Sequence, residues 1–553
     1  MLGAFSVSQP RLIPCGPTTA HSFFFDLTEA KWDGNRPLHR LCSLMRKMKV
    51  QAYTEEELRP NPEIEEESSA AATRCGGTVR TTATRYSFFR NNPPSGNWHD
   101  LSESDLLGYA VILRQDLPDG SHRSFVLESV VLPPTIVRGT TGAGFSAEPV
   151  SNYYAHCIRE CQTALGTPDD HKLFKVRGSF FCQQNALTHV CAHAALRMCI
   201  NSSPTFRLPK LTNRQINDFL GIDHSDQAPG TGRPRRVGSY GGDRNGGLGT
   251  SDIITVLQQL GLQCQFAIFT QNTSVQYEAF IYPLIESRVP VILGIEKPDV
   301  AHVITVVGHT LNTDRWEAQA RLGYGALPIS PYISSSAWAD HFIINDDNFG
   351  MYVTLPSDMV RNFLVPRFNP NLHAAMAIGI VPGGVTISGY EVEEKAAIQA
   401  DRIIAKTVPT AENRWLAHLR GSAGNQPKPN IVCRTLLVEK AEYVSQIATA
   451  TDSDGQKVGE QQISRLNSIL PSLLWITEIS LPDLYTANKH KLGDIVTKAA
   501  TTKDEYLRGT NIIFAWLPGL ARWGPGLPDP QEQWPLAGHI PLIRTGPVPT
   551  SEW

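Results

Sequence analysis

A bias in charge is the first thing this 553-residue chain lacks: 50 Lys and Arg stand against 53 Asp and Glu, a formal charge of -3. A nearly balanced surface removes the global electrostatic case for nucleic acid or an anionic membrane, so neither is expected as a partner. Long apolar runs are missing as well. The stretch around Ile281 to Ile295 is broken by Glu286, Ser287 and Arg288, and nothing reaches the ~18 apolar residues of a membrane span. Cysteine is thinly spread: Cys15, Cys42, Cys75, Cys157, Cys161, Cys182, Cys191, Cys199, Cys264 and Cys433 have neither the density nor the spacing of a disulfide framework, which fits a reducing compartment. The start, MLGAFSVSQPRLIPC, has no basic residue before its apolar positions and is interrupted by Pro10 and Pro14, unlike a secretory signal. The expectation is a soluble, cytoplasmic protein.

Two further absences bear on cofactors. GGDRNGGLGTSD is rich in glycine but has no GK[ST], which argues against a phosphate loop. No CxxC occurs, and His189, Cys191 and His193 follow one another at two-residue spacing, which on a helix points the groups apart. Neither metal nor cofactor is expected.

What is present is a globular, loop-rich composition, long enough at ~150 residues per domain for two or three domains. The pattern divides at about 145 and 384. Region 1–145 reads as mixed or β-rich: an early helix over Leu38 to Lys49, an acidic solvated loop over Glu55 to Ser69, and two apolar runs joined by DLPDGSHR, which has hairpin chemistry. Region 146–384 begins with a helical pattern, Tyr154, Cys157, Ile158, Cys161 and Leu165 recurring on one face. Helices over Ala186 to Ile200 and Leu248 to Leu262 follow, the latter capped by Thr250 or Ser251 and stopped by Gly261. The β-branched runs VPVILGIEK, AHVITVVGHT and HFIINDDNFG then read as strands of one sheet, and the glycine-rich stretch 227–250 as a lid. Region 385–553 reads as α+β, with a helix over Tyr390 to Lys406, strand-like runs IVCRTLLVEKAEYV, LLWITEISL and NIIFAWLPGL, and an extended surface tail from Trp523.

The residues with chemistry lie in the middle region. Cys191 stands where the polar run CQQN and ALTHV lead into a helix of small residues. A thiolate at the first turn of a helix is stabilised by the helix dipole, and an imidazolium beside it adds to that. Far downstream, His302 opens the strand HVITVVG, and Asp346 ends the strand FIIND ahead of the turn formers Asp347, Asn348 and Gly350. Nucleophile, base and orienting carboxylate thus occur in the order Cys, His, Asp. Taken alone, each has a structural reading as buried thiol, strand histidine or turn aspartate; the combination points to catalysis.

Residues Gln184 to Met198, then GLGTSDIITVLQQLG, PVILGI with AHVITVVGH, and FIINDDNFG resemble the successive blocks of papain-like cysteine peptidases, in particular the C39-like branch, over roughly residues 180 to 360. The resemblance implies an α+β fold with a papain-like core, a helix bundle plus an antiparallel sheet, flanked by the N-terminal mixed or β-rich region and the C-terminal α+β region. It also implies Cys191 as nucleophile, His302 as general base and acid, and Asp346 as the group that holds the imidazole tautomer. In that family a glutamine six residues before the cysteine donates to the oxyanion. Here Asn185 occupies that place and Gln184 the one before it, so Gln184, with Asn185 as substitute, is the expected donor. The 44 residues from His302 to Asp346 exceed the family's usual hairpin, and Trp338 within them is expected to wall a substrate cleft.

The function implied is a cysteine peptidase that cleaves a peptide or isopeptide bond of a protein substrate through a thioester. The same triad serves transglutaminases, deamidases and acyltransferases, and a catalytically silent papain-like scaffold is the rival from another class.

Overall fold

The structure is a computed structural model that describes residues 5–16, 35–134, 153–185, 190–205, 208–223, 235–236, 248–269, 276–297, 300–311, 332–357, 373–407, 415–417, 419, 431–451, 455–524, 531–534 and 540–544. It is a mixed α+β fold built on several largely antiparallel sheets. Its residues segregate into two units, the first made of Met1–Ile268, Arg288–His309 and His341–Pro382, the second of Phe269–Ser287, Thr310–Asp340 and Gly383–Trp553.

In the first unit, strands β1 (Arg11–Pro14), β2 (Ala52–Glu57), β3 (Arg80–Phe89), β4 (Leu106–Asp116), β5 (His122–Val131), β6 (Arg159–Thr167) and β7 (Asp170–Phe181) form a sheet in the order β1-β2-β3-β4-β5-β7-β6. The expected hairpin is β4 and β5. Its turn closes with Leu117 N–H donating to Ser121 O, the Asp119 carboxylate accepting from Ser121 N–H, and Gly120 at φ 78°, a conformation that favours glycine.

Two expected elements differ in this unit. The acidic stretch Glu55 to Ser69 is not a loop: it contains the end of β2 and most of helix α2 (Pro62–Cys75), which follows helix α1 (Arg36–Lys47). The Asn61 carboxamide accepts from Glu63 and Ile64 N–H, Pro62 fills the first turn, and Gly76 closes the helix at φ 67°. Glu63 and Glu65 lie where the positive end of the dipole favours acids, so the charge run marks a helix start. The helix expected from Tyr154 to Leu165 is extended chain, a short strand Tyr153–Ala155 and then β6. Every residue of β6 has a partner on β7, from Arg159 opposite Gly178 to Thr167 opposite Asp170, and this pairing overrides a helical spacing that short apolar runs satisfy by chance.

The second sheet of this unit contains β8 (Gln263–Ile268), β9 (Val291–Lys297), β10 (Val300–Thr310), β11 (His341–Asp346), β12 (Gly350–Pro356) and β13 (His373–Val381), ordered β8-β13-β9-β10-β11-β12, with Tyr153–Ala155 beside β10. The three runs read as strands of one sheet are β9, β10 and β11. Helix α3 (Cys191–Ser202) is buried from Ala192 to its end. Ala195, Leu196, Cys199 and Ile200 pack with Ile216 of α4 (Asn213–Leu220), Ile253 and Val256 of α5 (Thr250–Gln259), and Ile292, Val303 and Ile378 of the sheet. The cap of α5 is Gly249, whose N–H donates to the Asp252 carboxylate, rather than Thr250 or Ser251. The glycine-rich stretch expected as a lid lies almost entirely outside the described residues.

In the second unit, the strand Ile333–Ser334 precedes β14 (Val432–Glu439), β15 (Leu473–Ser480), β16 (Gly493–Lys498), β17 (Ile512–Leu517), β18 (Leu520–Trp523) and β19 (Gln531–Gln533) in one sheet, packed by α6 (Gly389–Lys406). The run after β14 expected as strand turns instead into the helix Lys440–Thr449. Buried Arg434 pairs with Glu286 at 2.6 Å and Glu478 at 2.5 Å. The tail does not simply lie on the surface: Trp523 and Trp534 are buried against Phe514, because aromatic area of that size contributes more in a core than in water.

Tyr352 ties the two sheets of the first unit. Its buried hydroxyl accepts from Ser179 N–H at 2.8 Å and donates to Val131 O at 2.7 Å. Tyr352→Phe strands both partners, a loss of about 1–3 kcal/mol, and is expected to lower the temperature of the first thermal unfolding transition seen by calorimetry; an unchanged transition would mean that this hydroxyl holds nothing together.

Candidate active site

Cys191 is the first residue of α3, after Val190 in extended conformation at φ -113° and ψ 172°. The N–H groups of the first turn have no partner within a helix, so Cys191 sits among donors and at the positive end of the dipole. The remainder of α3 is pinned from several sides: the Thr305 hydroxyl donates to Ala195 O at 3.1 Å, Cys199 Sγ to Pro290 O at 3.3 Å, and the Ser202 hydroxyl accepts from Phe180 N–H at 2.9 Å. Arg197, buried, pairs with Glu63 of α2 at 2.5 Å. The half-buried thiol thus projects from a helix held on several sides by its packing.

Pairing of β10 with β11 supplies the other two groups. Thr305 lies opposite Asn345 and Val306 opposite Ile344. Continuing that register puts Asp346 beside Ile304, and so diagonal to His302 on the same face, within reach of a long side chain. The His302 Nε2 to Asp346 Oδ1 distance is 3.2 Å, and the Cys191 side chain lies close enough to the ring to favour its charged form. Burial works against the charged ring. The hydrogen bond to Asp346, the Cys191 side chain and the charges of Asp346 and Asp347 overcome it, pushing the imidazole up to about 10. The structure thus brings Cys191, His302 and Asp346 into one line of contacts.

The two candidate oxyanion donors part company. Gln184 joins the site: its Nε2 donates to Asn348 Oδ1 at 3.0 Å, and Asn348 Nδ2 lies 3.5 Å from His302 Nε2. Asn185 is buried and committed elsewhere, its Nδ2 donating to Glu67 at 2.8 Å and its carbonyl accepting from Arg123. Trp338 does not wall a cleft; it is fully buried, with its ring 5.0 Å from that of Tyr485.

Asp347 and Asn348 are residues whose part in this site the sequence hid. Both were read as turn formers, and they are: Asp346 Oδ1 accepts from Asn348 N–H at 2.8 Å and Phe349 N–H at 3.3 Å, closing the turn that Gly350 ends at φ 110°. The same turn drives the Asp347 side chain inward, to 3.6 Å from His302 Nε2 with no exposure. Turn propensity and a second acid at a site give the same letters.

His302, Asp346 and Asp347 each place one ligand-type atom within 4.8 Å of the others. Asp346 Oδ1, however, already serves two N–H groups and the ring, leaving it little capacity to bind a cation. Of the expected non-ligands, His193 bonds Asn217 at 2.9 Å, and His189 lies outside the described residues.

A scan against models of known protein families finds no match, and a search of curated proteins finds none either. Among the described residues no helix is long and apolar enough to cross a membrane.

The raised His302 value has a consequence for stability. Its ordinary value is 6.5, so the contribution of the ring is complete below that pH and is lost as pH rises through about 10. Between neutrality and pH 10 the melting temperature of the native chain is expected to fall more steeply than that of His302→Gln. Parallel curves would show that the ring gains nothing from its partners.

Proposed function

We propose that this protein is a cysteine-type hydrolase with a papain-like core, acting on a peptide or isopeptide bond of a protein substrate. The observation that carries the reading is His302, bonded to Asp346 at a strand end and close enough to Cys191 at a helix start for the thiol side chain to favour the charged ring. A charged imidazole that can deliver a proton suits a leaving amine, which departs only when protonated.

The steps follow from the geometry. The Cys191 sulfur attacks the carbonyl carbon, and the developing oxyanion is met by first-turn N–H groups of α3 and by the Gln184 amide released from Asn348. As negative charge leaves the sulfur, His302 loses one of the two partners that hold its proton, so the ring becomes a stronger acid when the amine needs it. The C–N bond breaks, the amine leaves with that proton, and a thioester remains on Cys191. Water then gives a proton to His302 and its oxygen to the acyl carbon, the C–S bond breaks with its electron pair returning to the Cys191 sulfur, and the acid departs, leaving thiolate and imidazolium as at the start. Asp346 fixes the ring throughout. The ten cysteines, free in the structure, suit a reducing cytoplasm as the site of action.

Selective alkylation tests this directly. Burial pushes Cys42 and Cys182 up to about 12 and Cys161 up to about 11, and it raises Cys15, Cys157, Cys199, Cys264 and Cys433 as well. Of the remaining two, Cys75 ends α2, where the dipole opposes a thiolate, while Cys191 begins α3 beside His302; iodoacetamide at neutral pH is therefore expected to mark Cys191 first, and His302→Gln to slow that marking at least ~10-fold. Uniform labelling of the chain, or a rate indifferent to His302, overturns the proposal and leaves a scaffold. A second check concerns the amide: Gln184→Ala, which removes the donor itself, is expected to lower kcat on a peptide substrate by roughly 100-fold while labelling of Cys191 persists. An unchanged kcat would remove Gln184 from the reaction.

A further inference from the structure

We propose that Asp347 is a second positioning carboxylate of His302, a buried counter-charge that with Asp346 holds the imidazole between two acids. The consequence for catalysis rests on the thiol hydrolase reading; the geometry does not.

The two neighbouring aspartates differ in what they do. Asp346 Oδ1 is consumed by the turn and by the ring. The Asp347 side chain is wholly buried, no other residue among those described donates a hydrogen bond to its carboxylate, and its Oδ1 lies 3.6 Å from His302 Nε2. A carboxylate taken out of water without donors is costly unless a charge offsets it. The cation it faces is His302. From the other elements, Cys182 at the end of β7 feels its charge, Cys191 of α3 lies close to the same ring, and Asp346 adjoins it. On α1, Arg36 lies over the Phe349 ring, and Arg40 donates to the Met351 and Tyr352 carbonyls; neither pairs with Asp347. No packing reason accounts for an acid at this position, where Asn or Leu would be easier to bury.

Burial, with Asp346 alongside and His302 opposing, pushes Asp347 up to about 7. Near neutrality it therefore passes from a neutral acid to a carboxylate 3.6 Å from the ring nitrogen. Negative charge at that distance opposes the departure of any proton from the ring, so His302 keeps its charge further into the alkaline range than Asp346 alone would allow. In catalytic terms, Asp347 extends the alkaline limit of the pH profile without touching the substrate.

The test is a pH titration of the full chain labelled on histidine, with the His302 imidazole signal identified by its loss in His302→Gln. The native protein is expected to show two inflections, one near neutrality as Asp347 ionises and one in the alkaline range as the ring loses its proton. Asp347→Asn is expected to abolish the first and lower the second by about 1 unit or more, and Asp347→Glu, which keeps the charge, to restore part of it. Circular dichroism checks that each variant folds; if the amide does not, the native two-step curve decides. A single inflection in the native chain, or a curve that Asp347→Asn leaves in place, reduces Asp347 to a packing residue. Should Cys191 resist alkylation while the Asp347 effect stands, the hydrolase reading fails and this assignment survives; the reverse result sinks this assignment alone.

Discussion

The register between the strand that carries His302 and the strand that ends in Asp346 is the constraint on which the site depends. With Thr305 opposite Asn345, the ring and the carboxylate share one face of the sheet. A slip of one residue would send Asp346 to the other face, because side chains alternate along a strand. That register is held by apolar burial on both strands, Ile304, Val306, Ile343 and Ile344 being almost wholly inaccessible. The bulge between Val306 and Gly308 absorbs the mismatch beyond it, with Gly308 leaving room for Tyr154 O of the adjoining strand. The core that stabilises the sheet is thus also what aligns the chemistry.

A second constraint is electrostatic. The helix start, the imidazole and two acids occupy a volume from which water is largely excluded, so each charge is held by its neighbours rather than by solvent. Asp346 is satisfied by the turn it begins. Asp347 receives no hydrogen bond from any other described residue, and depends on His302 for its charge. The region before residue 145 shares in this arrangement: Glu63 and Glu67 of α2 engage Arg197 of α3 and Asn185 respectively. The front region thus helps to seat the helix that carries Cys191.

Much of this was legible in the sequence because the signals were long or doubly determined. The strands of the second sheet are β-branched runs with sharp ends, and Cys191 and Asp346 each stand at an element boundary, where the pattern changes; His302, read as opening its strand, is the third residue of β10. The misreadings have physical causes. Tyr154 to Leu165 satisfied a helical spacing, but a hairpin partner eleven or so residues later decided its conformation, and a window on one segment does not see its partner. Glu63 and Glu65 read as solvated because charge suggests water; Asn61 and Pro62 were the stronger signal of a capped helix. Trp338 was expected in a cleft wall and the tail from Trp523 on the surface, yet the size of Trp338, Trp523 and Trp534 made burial the better outcome. Asp347 was hidden because an acid in a turn and an acid beside an imidazole look the same in sequence.

The account comes down to a sulfur and an imidazole acting together at a carbonyl. The most direct measurement is a crystal structure of the full chain soaked with a peptide aldehyde. The account predicts a bond from Cys191 Sγ to the aldehyde carbon, the resulting oxygen between the Gln184 amide and the first turn of α3, and His302 still bound to Asp346. An aldehyde that is absent, or carried by another cysteine, or attached to Cys191 with His302 turned from it, would contradict that claim.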